Sequence, residues 1–118
     1  CNECGRIMVP WVRVDTFLEG KDWREGVRRY ENFLKKYLMN GTDKNVVLLE
    51  LGVGEMTPSI IKLLFWEMTY KNEKVFYACL NQKKSSAPEY IKDDGIYIAG
   101  DLAETLRDLK ENIAGKEM

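Results

Sequence analysis

Three short apolar runs constrain this chain more than any other feature: Val46-Val47-Leu48-Leu49-Glu50-Leu51, Val75-Phe76-Tyr77-Ala78-Cys79-Leu80 and Gly95-Ile96-Tyr97-Ile98-Ala99. Each is too short for a typical helix, and the first is continuously apolar until Glu50, as expected of a strand covered on both faces. Between the first two runs, Ile60, Ile61, Leu63, Leu64 and Phe65 supply a broad apolar face for a helix from Pro58 to about Tyr70, with Thr57 as N-cap. The third run passes through Gly100-Asp101 into a helix from Leu102 to about Asn112, with Asp101 as N-cap and Glu104 at the N3 position of a capping box. The stretch from Lys83 to Asp94 is a polar loop with room for one helical turn. Strand, helix, strand, loop, strand, helix predicts an α/β fold with a mainly parallel sheet.

The N-terminal third has a different character. Cys1-Asn2-Glu3-Cys4-Gly5 precedes an extended or edge-strand run, Ile7 to Val14, interrupted by Pro10. From Asp22 to Leu38, apolar residues at Trp23, Val27, Tyr30, Phe33, Leu34, Tyr37 and Leu38 predict a helix with one buried stripe, stopped by Asn40-Gly41. Lys21, Arg24, Arg28, Arg29, Lys35 and Lys36, interleaved with acids, read as its solvated face. Asn40-Gly41-Thr42 matches a glycosylation sequon but reads as the turn that ends this helix.

Composition removes several function classes. At 118 residues the chain has room for one core. Its 18 basic and 19 acidic residues give a net charge of −1, which argues against nucleic acid or an anionic membrane as partner. No secretory signal opens the chain and no run approaches the roughly eighteen apolar residues of a membrane span, so the expected compartment is the cytoplasm. With 0 histidines, Ser-His and Cys-His nucleophilic catalysis are outside this chain's means. A start at Cys1, inside a Cys-x-x-Cys pair and without methionine, reads as the cut edge of a longer protein.

In a parallel α/β sheet, ligands bind beyond the carboxyl ends of the strands, where loops open and helix N-termini present N–H groups. Gly52-Val53-Gly54, Asn81-Gln82 and Gly100-Asp101 mark three such ends along one rim, suited to a ribose and an adenine. Turns call for these same residue types even where no ligand binds. The Gly52 loop lacks the third glycine of a dinucleotide fingerprint, because Thr57 stands there. Glu50, at the end of a buried strand, needs a hydrogen-bond donor: a ribose hydroxyl, the Gly52 loop, or an arginine. Cys1 and Cys4 have the spacing of half a tetrahedral zinc site, whereas Cys79, inside a buried strand, reads as a small hydrophobe.

In order along the chain, the cysteine pair, the extended Val-Pro segment, the Gly52 loop, Leu80-Asn81 and Gly100-Asp101-Leu102-Ala103-Glu104 together resemble the C-terminal portion of a sirtuin. Met8 to Gly20, Leu49 to Lys62 and Phe65 to Tyr70 are especially similar to the macrodomain-linked bacterial sirtuins. The resemblance implies a zinc-ribbon remnant at 1–8 and the C-terminal part of a Rossmann-like, three-layer NAD-binding domain at 9–118. It makes Cys1 and Cys4 two of four structural zinc ligands. Gly52, Val53, Gly54 and Glu55 would meet a ribose and phosphates, Asn81 and Gln82 the adenosine ribose, and Asp101 and Leu102 the adenine. Val12, Arg13 and Val14 would border the cleft for an acceptor protein.

Val53-Gly54 departs from the family's Thr-Ser pair, and Val12 to Thr16 lacks its aromatic-Gly-Glu run, which argues against ordinary peptide deacetylation. The similarity to macrodomain-linked sirtuins, a group associated with protein ADP-ribosylation, implies transfer of ADP-ribose instead. The family's catalytic histidine and Asn-x-Asp motif precede the second cysteine pair, so the implied parent is an NAD-dependent ADP-ribosyltransferase or deacylase and this chain alone is inactive. The rival readings are an S-adenosylmethionine-dependent methyltransferase fragment and a non-catalytic nucleotide-binding or interaction module. An exposed sheet edge would invite association.

Overall fold

The computed structural model describes residues 1–8, 19–39, 43–85 and 87–116. They fall into two compact units, Cys1–Leu34 and Lys35–Met118.

In the first unit, the backbone turns back over Cys1 to Gly5: the Gly5 N–H donates to the Cys1 carbonyl at 2.9 Å, with Gly5 at φ +69°. Helix α1 is Lys21–Leu34, with Asp22 in its first turn, where a carboxylate suits the helix dipole. No residue of α1 is buried, so the expected buried stripe is only partly covered: Trp23 and Val27 are half-buried, and Tyr30 and Phe33 are exposed. The six basic residues lie at exposed positions as expected. The extended run from Val9 onward and the Asn40-Gly41 stop lie outside the described residues.

The second unit opens with a π-helical turn, Lys35–Met39, where a regular α-helix reaching Leu38 was expected. Three parallel strands follow, β1 (Val46–Leu51), β2 (Val75–Asn81) and β3 (Gly95–Ala99), in the order β1-β2-β3. The register pairs Glu50 with Cys79 and Leu51 with Leu80, then Cys79 with Tyr97 and Asn81 with Ala99, so the C-terminal ends share one rim. The strands thus occupy the three apolar runs, with β2 one residue longer at Asn81.

Helix α2 (Lys62–Lys71) links β1 to β2 and packs against β2. Beneath it lies the core of Val46, Leu48, Val75, Tyr77, Cys79 and Ile91, joined by Phe65, Trp66, Met68 and Tyr97. Tyr77 meets Phe65 and Tyr97 edge to face, at ring-centroid distances of 6.5 and 5.8 Å, a favoured aromatic geometry. A 3-10 helix, Glu89–Asp94, provides the expected turn before β3 and buries Ile91.

Two expectations are corrected here. β1 is not covered on both faces: Val46, Leu48 and Glu50 are buried, but Val47, Leu49 and Leu51 are 62%, 50% and 44% exposed. Phe76 and Ile96 share that largely open face, on which Ala78 and Leu80 of the central strand are buried. Second, α2 begins at Lys62 rather than Pro58, with Ile61 at its N-cap and no side-chain cap bond. Residues 58–61 form turns instead, and the Leu63 N–H reaches back to the Pro58 carbonyl at 2.9 Å.

Helix α3 spans Leu102–Lys116, four residues beyond Asn112. Asp101 caps it as expected: its Oδ1 accepts the Glu104 N–H at 3.0 Å. Among the described residues, no helix is long and apolar enough to cross a membrane.

Candidate functional site

The rim at the strand ends is knitted together by hydrogen bonds between neighbouring loops. The Gly52 N–H donates to the Leu80 carbonyl at 2.9 Å, which carries the sheet ladder one step past β1. Asn81 Nδ2 donates to the Val53 carbonyl at 2.9 Å, and the Gly100 N–H donates to the Asn81 carbonyl at 2.9 Å. Gly52 sits at φ +64°, and a Cβ there would stand 3.1 Å from Leu102 Cδ1, so the first loop and the start of α3 adjoin. Gly52, Val53, Asn81 and Leu102 are therefore brought together as expected.

A cleft of about 350 Å³ opens beside this seam, lined by Gly54, Glu55, Asn81, Lys83, Lys84 and Ser85. Sequence reasoning placed Gly54, Glu55 and Asn81 here but assigned Lys83, Lys84 and Ser85 to a polar surface loop with room for one helical turn. Position was the available signal: these residues follow directly on a strand's carboxyl end. Gln82 is exposed beside the cleft without lining it, and Asp101 is occupied as the cap of α3. The cleft combines an amide, a hydroxyl, a carboxylate and two ammonium groups, a set able to bind hydroxyls and phosphates together.

Behind the rim, Glu50 proves to have partners that the sequence did not reveal. It is 1% exposed, and Lys62, at 3%, places its Nζ 2.5 Å from Glu50 Oε1. The Tyr77 hydroxyl donates to Oε2 at 2.6 Å, and the Cys79 thiol approaches Oε1 at 3.5 Å. Of the three donors expected for Glu50, none is this one: the cation is a lysine in place of an arginine. Cys79 is buried as expected of a small hydrophobe, though its sulfur faces this carboxylate. Burial, and then the bond to Glu50, push the Tyr77 hydroxyl far above its ordinary range, so it remains a proton donor. Tyr97 shifts upward as well, chiefly through burial. The Lys62 ammonium stands 5.9 Å from the centre of the Trp66 ring, whose Nε1 is buried without a hydrogen-bond partner.

Val12, Arg13 and Val14 lie outside the described residues. Cys1 and Cys4 are exposed free thiols on the turn that ends at Gly5. Among the described residues, no group of three or more metal-ligating side chains is assembled.

No family model matches the chain. A Staphylococcus aureus (strain Mu50 / ATCC 700699) protein named Protein ADP-ribosyltransferase is 31% identical to it over 86 residues, which make up 73% of this chain and 26% of that relative. The chain thus spans about a quarter of that relative's length.

Proposed function

We propose that this chain contributes the adenosine-ribose side of an ADP-ribosyl donor site in a sirtuin-type protein ADP-ribosyltransferase, with NAD as donor and a protein as acceptor. The observation that carries the reading is the seam at the three strand ends, where Asn81 ties the Val53 loop to the Gly100 turn beside a cleft lined with hydrogen-bonding and cationic groups. The similarity to a protein named for ADP-ribose transfer supports the same reading.

On this reading Asn81, with one amide hydrogen committed to Val53, offers Oδ1 to a ribose hydroxyl. The backbone of Gly54 allows close approach of a sugar or phosphate, and Lys83 and Lys84 balance phosphate charge. Leu102 and the N-terminal turn of α3 flank the adenine. NAD supplies the electrophilic ribose carbon once nicotinamide departs, and the groups that promote departure and receive the acceptor belong to the rest of the protein, since this chain has 0 histidines. Cys1 and Cys4 would hold half of a structural zinc, with two ligands from outside the chain.

Calorimetric titration of the chain with NAD, ADP-ribose and S-adenosylmethionine tests the proposal. Binding of NAD and ADP-ribose, weakened in N81A, is the expected result. Preference for S-adenosylmethionine would move the chain to the methyltransferase class, and a cooperative melt without any ligand preference would leave an interaction module.

A further inference from the structure

Lys62 occupies a costly position. It is buried, and as the first residue of α2 it sets a positive charge where the helix dipole is already positive. The same helix start has no side-chain cap, so the ordinary means of fixing where a helix begins is missing. What stands there instead is the ion pair with Glu50, which lies two residues before Gly52. The pair therefore joins the two ends of the segment from Gly52 to Ile61, the loop that contributes Gly54 and Glu55 to the cleft. Tyr77 holds the second carboxylate oxygen and so fixes the direction from which Glu50 meets Lys62. Asn81 holds the loop at Val53, which leaves the far end to Lys62.

We infer that Glu50 and Lys62 are positioning residues: their buried ion pair staples the 52–61 loop into the shape that admits the ligand. A buried pair that served stability alone would be replaceable by neutral groups of similar size with little loss, or with a gain. A positioning pair is not replaceable in that way, because the neutral version frees the loop to sample other shapes and affinity falls with the fraction of time spent in the right one.

This inference rests on the ligand reading above, and the test keeps the two apart. ADP-ribose and NAD affinities, thermal melting and amide hydrogen exchange across 52–61 are measured in the wild type, E50Q/K62M, K62R and E50D. The double variant is expected to melt near the wild type, yet to lose about tenfold or more in affinity with faster exchange in the loop. K62R, which keeps the charge, is expected to recover most of the affinity. Wild-type affinity or unchanged loop exchange in E50Q/K62M would overturn the inference. Should the double variant not fold, E50D decides: a carboxylate too short to reach both Lys62 and Tyr77 must speed loop exchange, and unchanged exchange sinks the idea. Absence of any binding by the wild type would remove the ligand reading, while the exchange data would still judge the staple.

Discussion

The two faces of the sheet invite comparison because the same three strands supply both. The face under α2 carries Val46, Leu48, Val75, Tyr77 and Cys79 with one carboxylate, and it is closed. The opposite face is apolar as well, with Val47, Leu49, Leu51, Phe76 and Ile96 exposed and Ala78 and Leu80 of the central strand buried among them. Hydrophobicity alone therefore does not separate the covered face from the open one. The face with the charge is the covered one, because Glu50 arrives there with a lysine, a tyrosine and a thiol around it.

Substitutions on the two faces should therefore differ sharply in cost. The largest loss is expected from K62M alone, which strands the Glu50 carboxylate in the core: about 3–5 kcal/mol in denaturant unfolding. L48A should cost about 2–5 kcal/mol by opening a cavity under α2. L49A, its neighbour on the open face, should cost below about 1 kcal/mol. Equal losses from the leucine pair would mean that the open face is covered in solution.

Tyr77 gives the comparison a pH axis. Its folded-state ionisation lies above the unfolded value of 10.0, so the folded chain keeps a proton that the unfolded chain releases. The resulting stabilisation is complete below that value and is lost as pH rises beyond it. Y77F should lower stability at neutral pH by about 1.5–3 kcal/mol through loss of the hydrogen bond to a charged group, and should flatten the alkaline decline. Urea midpoints between about pH 8 and about pH 11 measure both effects. A modest change is expected at the cap of α3, where D101A should cost about 1 kcal/mol.

The legible parts of the fold were those set by local sequence. Strand limits followed the apolar runs, and the Asp101 cap followed from the residue type and its spacing to Glu104. What stayed hidden depended on neighbours remote in the chain. Thr57-Pro58 carries a good local start signal, but α2 begins at Lys62, where a contact twelve residues away in sequence holds it. Nothing around Lys62 marks it as buried, since lysines in amphipathic helices ordinarily face water. The exposed face of β1 was hidden for a related reason: an apolar run has the same composition whether one face or both are covered. At the site, glycine and asparagine at strand ends were readable, while Lys83, Lys84 and Ser85 needed the cleft itself to be seen.

Trp66 has a consequence for how this molecule can be watched. Its ring lies 5.9 Å from the Lys62 ammonium, and the excited indole is strongly dipolar, so the emission colour depends on the local field. The chain has two other tryptophans, Trp11 and Trp23, and replacing both with phenylalanine leaves Trp66 as a single lamp beside the buried charge. Loss of that charge, or its withdrawal when the helix start shifts, would register as a change in wavelength, without a label and in real time.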